Sequence, residues 1–168
     1  MNIFRFLRCA IDKQLSPDFH EKMQIKGNLH IELRDKDGKL RDERFIHNVV
    51  CALGDAYVAE CVTDNTATYM GWMAVGTGAD AGATPTALTT ENDRNALTST
   101  TQGTGGDDND VIYVGDWAAG DATAAITEAG IFAAASAGTM FVYSYFSVIN
   151  KGASDTLKIT WTLTLGST

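Results

Sequence analysis

Cysteine is scarce and odd in number. The chain has three, Cys9, Cys51 and Cys61, which is too few for a disulfide framework, and no two lie at zinc-ligand spacing. Cys51 and Cys61 are ten residues apart on a stretch that reads as one helix, about 15 Å of rise, beyond disulfide reach. All three are expected to be reduced, mostly buried thiols. Histidine is equally sparse: His20, His30 and His47 all fall in the first third. With no G-x-S-x-G elbow near any of them, a Ser-His nucleophilic site has no support. Basic charge is in deficit, with 13 Lys and Arg against 21 Asp and Glu, a net charge of −8. Such a surface repels phosphates, so no nucleic-acid partner is expected. No apolar run is long enough to span a bilayer, and Arg5 and Arg8 interrupt the N-terminal one, so neither a membrane partner nor a secretory signal is expected.

What the chain does contain is a change of period. In residues 1–24, Ile3, Leu7, Ile11 and Leu15 recur every four residues, with Arg5, Arg8, Asp12 and Lys13 largely off that stripe, until Ser16-Pro17 stops it. This predicts an amphipathic N-terminal helix or arm, packed on its own domain or on a neighbouring subunit. Residues 25–168 read as one separate β domain. Leu29, Ile31 and Leu33 alternate with His30, Glu32 and Arg34, the "DKDG" turn follows, and "KLRDERF" returns as a charged second strand. Lys39 and Ile46 occupy positions where a calcium loop needs ligands, which excludes an EF-hand. "NVVCALGDAYVAECV" has helical spacing, with Asn48 as its N-cap, and predicts one buried helix.

Six more strands are expected in "TYMGWMAVG", "RNALTSTTQ", "DVIYVGDW", "AAITEAGIF", "TMFVYSYFSVI" and "DTLKITWTLTL". The last is the clearest: Leu157, Ile159, Trp161, Leu163 and Leu165 alternate with Thr156, Lys158, Thr160, Thr162 and Thr164. An antiparallel sheet with one wet face requires that alternation. About eight short strands with turn-rich connections predict a mainly β, antiparallel β-sandwich, jelly-roll or Ig-like, with a small barrel as the other option.

Few residues within this frame could carry chemistry. "MAVGTGADAG" has the wrong glycine spacing for a dinucleotide fingerprint and lacks a Walker lysine. Asp107, Asp108 and Asp110 form an acidic cluster of the kind usually found in solvated turns. Glu91, Asp93, Asp116, Glu128 and Asp155 supply carboxylates, but no pairing among them is indicated by spacing. No catalytic residue, metal or other cofactor is expected. Glu128 is the anomaly, since it sits mid-strand in "AITEAGIF", where alternation puts Ile126, Glu128 and Gly130 on one face and Thr127, Ala129 and Ile131 on the other. A carboxylate leaning on the core needs a partner. Few cations follow residue 44, and Arg94 offers a bidentate fork, so the expected structural tie is an ion pair between Glu128 and Arg94, with Glu91 as the competing partner.

Three blocks in fixed order then carry a resemblance: "HNVVCALGDAYVAECV", "MAVGTGADAGATPTALTTENDRNALTSTT" and "ITEAGIFAAASAGTMFVYSYFSVINKGASDTLKITWTLTLG". Spanning residues 46–166, about 120 of 168, they resemble a widespread group of tailed-bacteriophage virion proteins. Glu91, Arg94, Glu128, Gly130, Lys151 and Trp161 stand at that group's recurrent positions, which implies fold-keeping roles for them. The resemblance implies a non-enzymatic structural protein of the virion, assembled in the host cytoplasm. The chain ends soon after its last strand, which favours a stand-alone piece. The expected role is a capsid decoration, or cement, protein that binds the shell by repeated weak contacts, partnered by copies of itself, possibly as a trimer, and by the major capsid protein. The alternatives are a tail-fibre or tail and neck accessory protein, and a carbohydrate-binding module using Trp72, Trp117, Tyr113, Tyr143 and Tyr145.

Overall fold

The computed structural model describes residues 23–63 and 68–167. Their elements run in the order β1 (Met23–Arg34), β2 (Leu40–His47), β3 (Val49–Val50), α1 (Ala52–Thr63), β4 (Trp72–Gly76), β5 (Glu91–Ala96), β6 (Ser99–Gln102), β7 (Asp110–Trp117), β8 (Ala124–Phe132), β9 (Met140–Lys151) and β10 (Thr156–Ser167). A five-stranded sheet ordered β2-β1-β10-β7-β6 faces another ordered β3-β9-β8-β4-β5, and the strand pairs are antiparallel. The fold is therefore the mainly β, antiparallel sandwich that the alternation predicts. Residues 1–22 of the expected arm lie outside the described residues, while Met23 and Gln24 already belong to β1.

The alternation of β10 is realised as read: Leu157, Ile159, Trp161 and Leu163 are buried, and the intervening threonines are not. Leu29, Ile31 and Leu33 of β1 join them between the sheets, with Ile126, Ala129 and Ile131 of β8 on the facing side. Trp117 and Trp161 are among the largest fully buried side chains, and removing either indole would cost about 3–5 kcal/mol. The "DKDG" turn closes as expected, with Gly38 at φ 78° and the Asp35 carboxylate accepting the Asp37 and Lys39 amides at 2.9 and 3.0 Å.

Three local expectations are corrected. "RNALTSTTQ" is two strands in different sheets, because the chain changes sheet at Leu97 and Thr98, whose N–H groups bond Gly71 O and Val114 O at 2.9 and 2.7 Å. The helix starts at Ala52, not at Asn48. Val49 and Val50 pair instead with Tyr143 and Val142, and the Asn48 amide N–H donates to Gly27 O at 3.2 Å. Nor is the helix buried: Tyr57 and Val58 are half-buried, whereas Cys61 and Val62 are exposed. Gly54 is where it touches the sheet, since a Cβ there would collide with the Phe141 carbonyl. Cys61 thus departs from the buried thiols expected, while Cys51 is buried and its thiol is pushed up to about 11 by burial and then by the Asp55 charge.

Candidate functional site

The expectation for the faces of β8 fails at one step. Ile126 packs between the sheets together with Ala129 and Ile131, which strict alternation forbids. The reason is an irregularity in the β8–β9 pairing: Ile126 faces Ile149 and Glu128 faces Tyr145, which leaves Thr127 on β8 as well as residues 146–148 on β9 out of the ladder. Such a bulge reverses which side the following residues present. Glu128, Gly130 and Phe132 are turned to the outer face of their sheet, away from the main core.

That outer face is not wet. Residues 77–90, the long connection between β4 and β5, fold over it, and a second small core forms underneath from Ala74, Leu88, Phe132, Met140, Tyr143 and Cys51. Glu128 is 0% exposed. Its Oε1 accepts the backbone N–H groups of Gly78 and Thr90 at 3.0 and 2.8 Å, and its Oε2 accepts that of Thr89 at 2.9 Å. An acceptor-only group taken from water needs donors, and here the covering loop supplies all three. The neighbouring Thr127 hydroxyl donates to Gly78 O at 2.7 Å, and the Tyr143 hydroxyl accepts the Ala81 N–H at 3.0 Å. Burial pushes the Tyr143 phenol up to about 12, with the Glu128 and Asp80 charges acting in the same sense. The glycines at 76 and 78 make room for the carboxylate: a Cβ on Gly78 would lie 2.5 Å from Glu128 Oε1 and 2.7 Å from the Thr90 nitrogen.

The expected ion pair between Glu128 and Arg94 does not form. Arg94 pairs with Glu91, the competing partner, and its Nη1 donates to Ala134 O and Ala137 O at 2.8 Å each. Its guanidinium lies 3.7 Å from the centre of the Phe132 ring. Arg94 and Gly130 flank Ala74, whereas Glu91 and Glu128 both flank Gly76, two pairs further along, and Arg94 takes the carboxylate on its own strand. Its fork extends over Phe132 toward the β8–β9 turn, and the loop amides have filled both oxygens of Glu128.

A second buried polar group sits at the turn between β9 and β10, where the chain passes from one sheet to the other. Lys151 is 2% exposed, and its Nζ donates to Ala118 O and Asp155 O at 2.9 and 2.7 Å. Loss of water holds this amine below the usual lysine range. The Asp155 carboxylate accepts the Gly152 N–H at 2.9 Å and Arg41 Nη1 at 2.6 Å. These bonds, the Gly152 one first, hold its carboxyl below the usual carboxylate range.

The remaining sequence candidates separate widely. Asp107 and Asp108 are exposed at a single-turn 3-10 helix. His30, Glu32 and Glu43 bring ligand-type atoms within 4.8 Å of one another on the opposite sheet. Those atoms are engaged already, His30 with Glu43 at 2.8 Å and Glu32 with Arg34, and Phe45 stacks on the imidazole at 4.4 Å. Of the five aromatics expected for a glycan face, Trp117, Tyr113 and Tyr143 are buried and Trp72 is half-buried, which leaves Tyr145 exposed. The loop latch was missed in the sequence. Its one visible trace is the Gly76 and Gly78 pair, small residues where a buried carboxylate must be approached by backbone. Comparisons with protein-family models, with curated proteins and with solved structures find no match to this chain.

Proposed function

We propose that this chain is a non-enzymatic structural protein of a tailed-phage virion, acting as a capsid decoration protein that binds the shell through many weak, symmetric contacts. One observation carries the reading. Five of the positions on which the resemblance rests do structural work: Glu128 fastens the 77–90 loop, Arg94 and Glu91 brace Phe132, Lys151 ties the turn between β9 and β10 and Trp161 fills the core. The carboxylate that most invited a catalytic role has no exposed surface, and its oxygens are taken by backbone donors. A loop fastened in this way is a preorganised surface, which lowers the ordering cost of each contact in a repeated array.

Cryo-electron microscopy of particles of the phage that encodes the chain tests the proposal, with density expected at symmetric positions on the shell. Density on the tail, neck or fibre would overturn the decoration role and leave the virion role. Absence of the chain from purified particles, judged by mass spectrometry, would overturn both. Trimeric assembly with copies of itself belongs to the same proposal, and sedimentation equilibrium reads it directly.

A further inference from the structure

An apolar groove runs between α1 and the start of β1, lined by Ile25, Val58, Ala59 and Val62 together with Asp55 and Thr63. Val62 is 82% exposed, an unusual cost for a branched aliphatic side chain on a helix that already touches the core through Tyr57 and Val58. We propose that residues 3–15 of the same chain dock in this groove as an amphipathic helix, with the Ile3, Leu7, Ile11 and Leu15 stripe against Val58 and Val62.

Three observations select this occupant. The chain preceding β1 joins it at Met23, two residues from Ile25 on the groove wall, so the segment emerges beside the groove. Residues 16–22 can span roughly 20 Å when extended, enough for the segment to double back. Lengths agree as well: residues 3–15 as a helix rise about 18 Å, close to the twelve residues of α1. Charge is complementary. The segment carries Arg5, Arg8 and Lys13 against Asp12, while α1 carries Asp55 and Glu60 and no basic residue. Docking covers the exposed Val62 and the open part of Val58, and places cations by an acidic helix.

Limited trypsin digestion of the full chain, read by intact mass, tests this, because Arg5, Arg8 and Lys13 are cleavable only when the segment opens. Val58→Asp with Val62→Asp on the helix, and separately Leu7→Asp with Ile11→Asp in the segment, should each speed cleavage after Arg8 and Lys13 about tenfold. The second pair keeps the test valid if the first disturbs the sandwich, whose thermal midpoint is followed in parallel. Wild-type cleavage as fast as in both variants would overturn the proposal. Protection that rises with protein concentration over roughly a hundredfold range would also overturn it, since that places the segment on a second copy. Neither outcome depends on where the protein sits in a particle.

Discussion

Glu128 and Lys151 are buried ionisable side chains of opposite sign on the paired strands β8 and β9, and each is satisfied by the opposite half of the peptide group. The acid takes three N–H groups from residues 38 to 50 positions upstream. The base gives to two carbonyls, one of them only four residues away. The acid fastens a long loop to the outside of a sheet, and the base ties the short turn by which the chain crosses from one sheet to the other. The two sites differ in what happens on removal. Buried N–H groups without an acceptor are rarely tolerated, whereas carbonyls, with two lone pairs each, more often go under-satisfied.

The sharpest way to break that contrast is Glu128→Ala. It strands three amides under the 77–90 loop, and a loss of about 3–4 kcal/mol in urea unfolding is expected, partly relieved as water enters. Hydrogen exchange should show the Gly78, Thr89 and Thr90 amides losing protection together. A loss below about 1 kcal/mol would remove the latch as an explanation. Glu128→Gln should fall between, since its amide nitrogen meets donors. Next in size is Gly78→Ala, at about 2–3 kcal/mol, because the added methyl lands on the carboxylate and on the Thr90 nitrogen and overpacks a closed site.

Lys151→Met probes the other member of the pair. Its thermal midpoint should correspond to a loss of only about 1–2 kcal/mol, since an apolar side chain of similar length offsets the lost bonds and ends the desolvation of an amine. Should it exceed the loss from Glu128→Ala, the ranking of donor and acceptor would be reversed. The smallest effect is a pH dependence. The Asp155 carboxyl is held below its ordinary value of 3.8, so its contribution is complete above that value and fades as the pH falls through the lower, folded one. Acid melts of the wild type should steepen below about pH 4, and Asp155→Asn, costing about 1 kcal/mol at neutral pH, should flatten that limb.

Legibility in the sequence followed the range of the interaction. The bounds of β7, β8 and β10 are legible almost residue for residue, because strand-type composition between turn residues is a local pattern, whereas the faces of β8 are not. Leu97, where the chain changes sheets, and Asn48, where it crosses before α1, were misread. A strand that leaves one sheet for the other keeps its β-propensity throughout, and an Asn beside a helical stripe resembles a cap wherever its amide goes. The bulge beside Glu128, where Thr127 drops out of the ladder, left no sign in the composition of β8.

That a carboxylate in "AITEAGIF" would be buried and need partners was determined by the sequence alone, from the apolar residues around it. So was competition for Arg94, with Glu91 three residues before it. Which partners Glu128 would have was decided only by the tertiary structure. Side-chain donors can be counted along a sequence, and Arg94 was the best of them. Backbone N–H groups belong to nearly every residue, so only the folding of residues 77–90 onto the sheet could select those of Gly78, Thr89 and Thr90 as the ones that meet it.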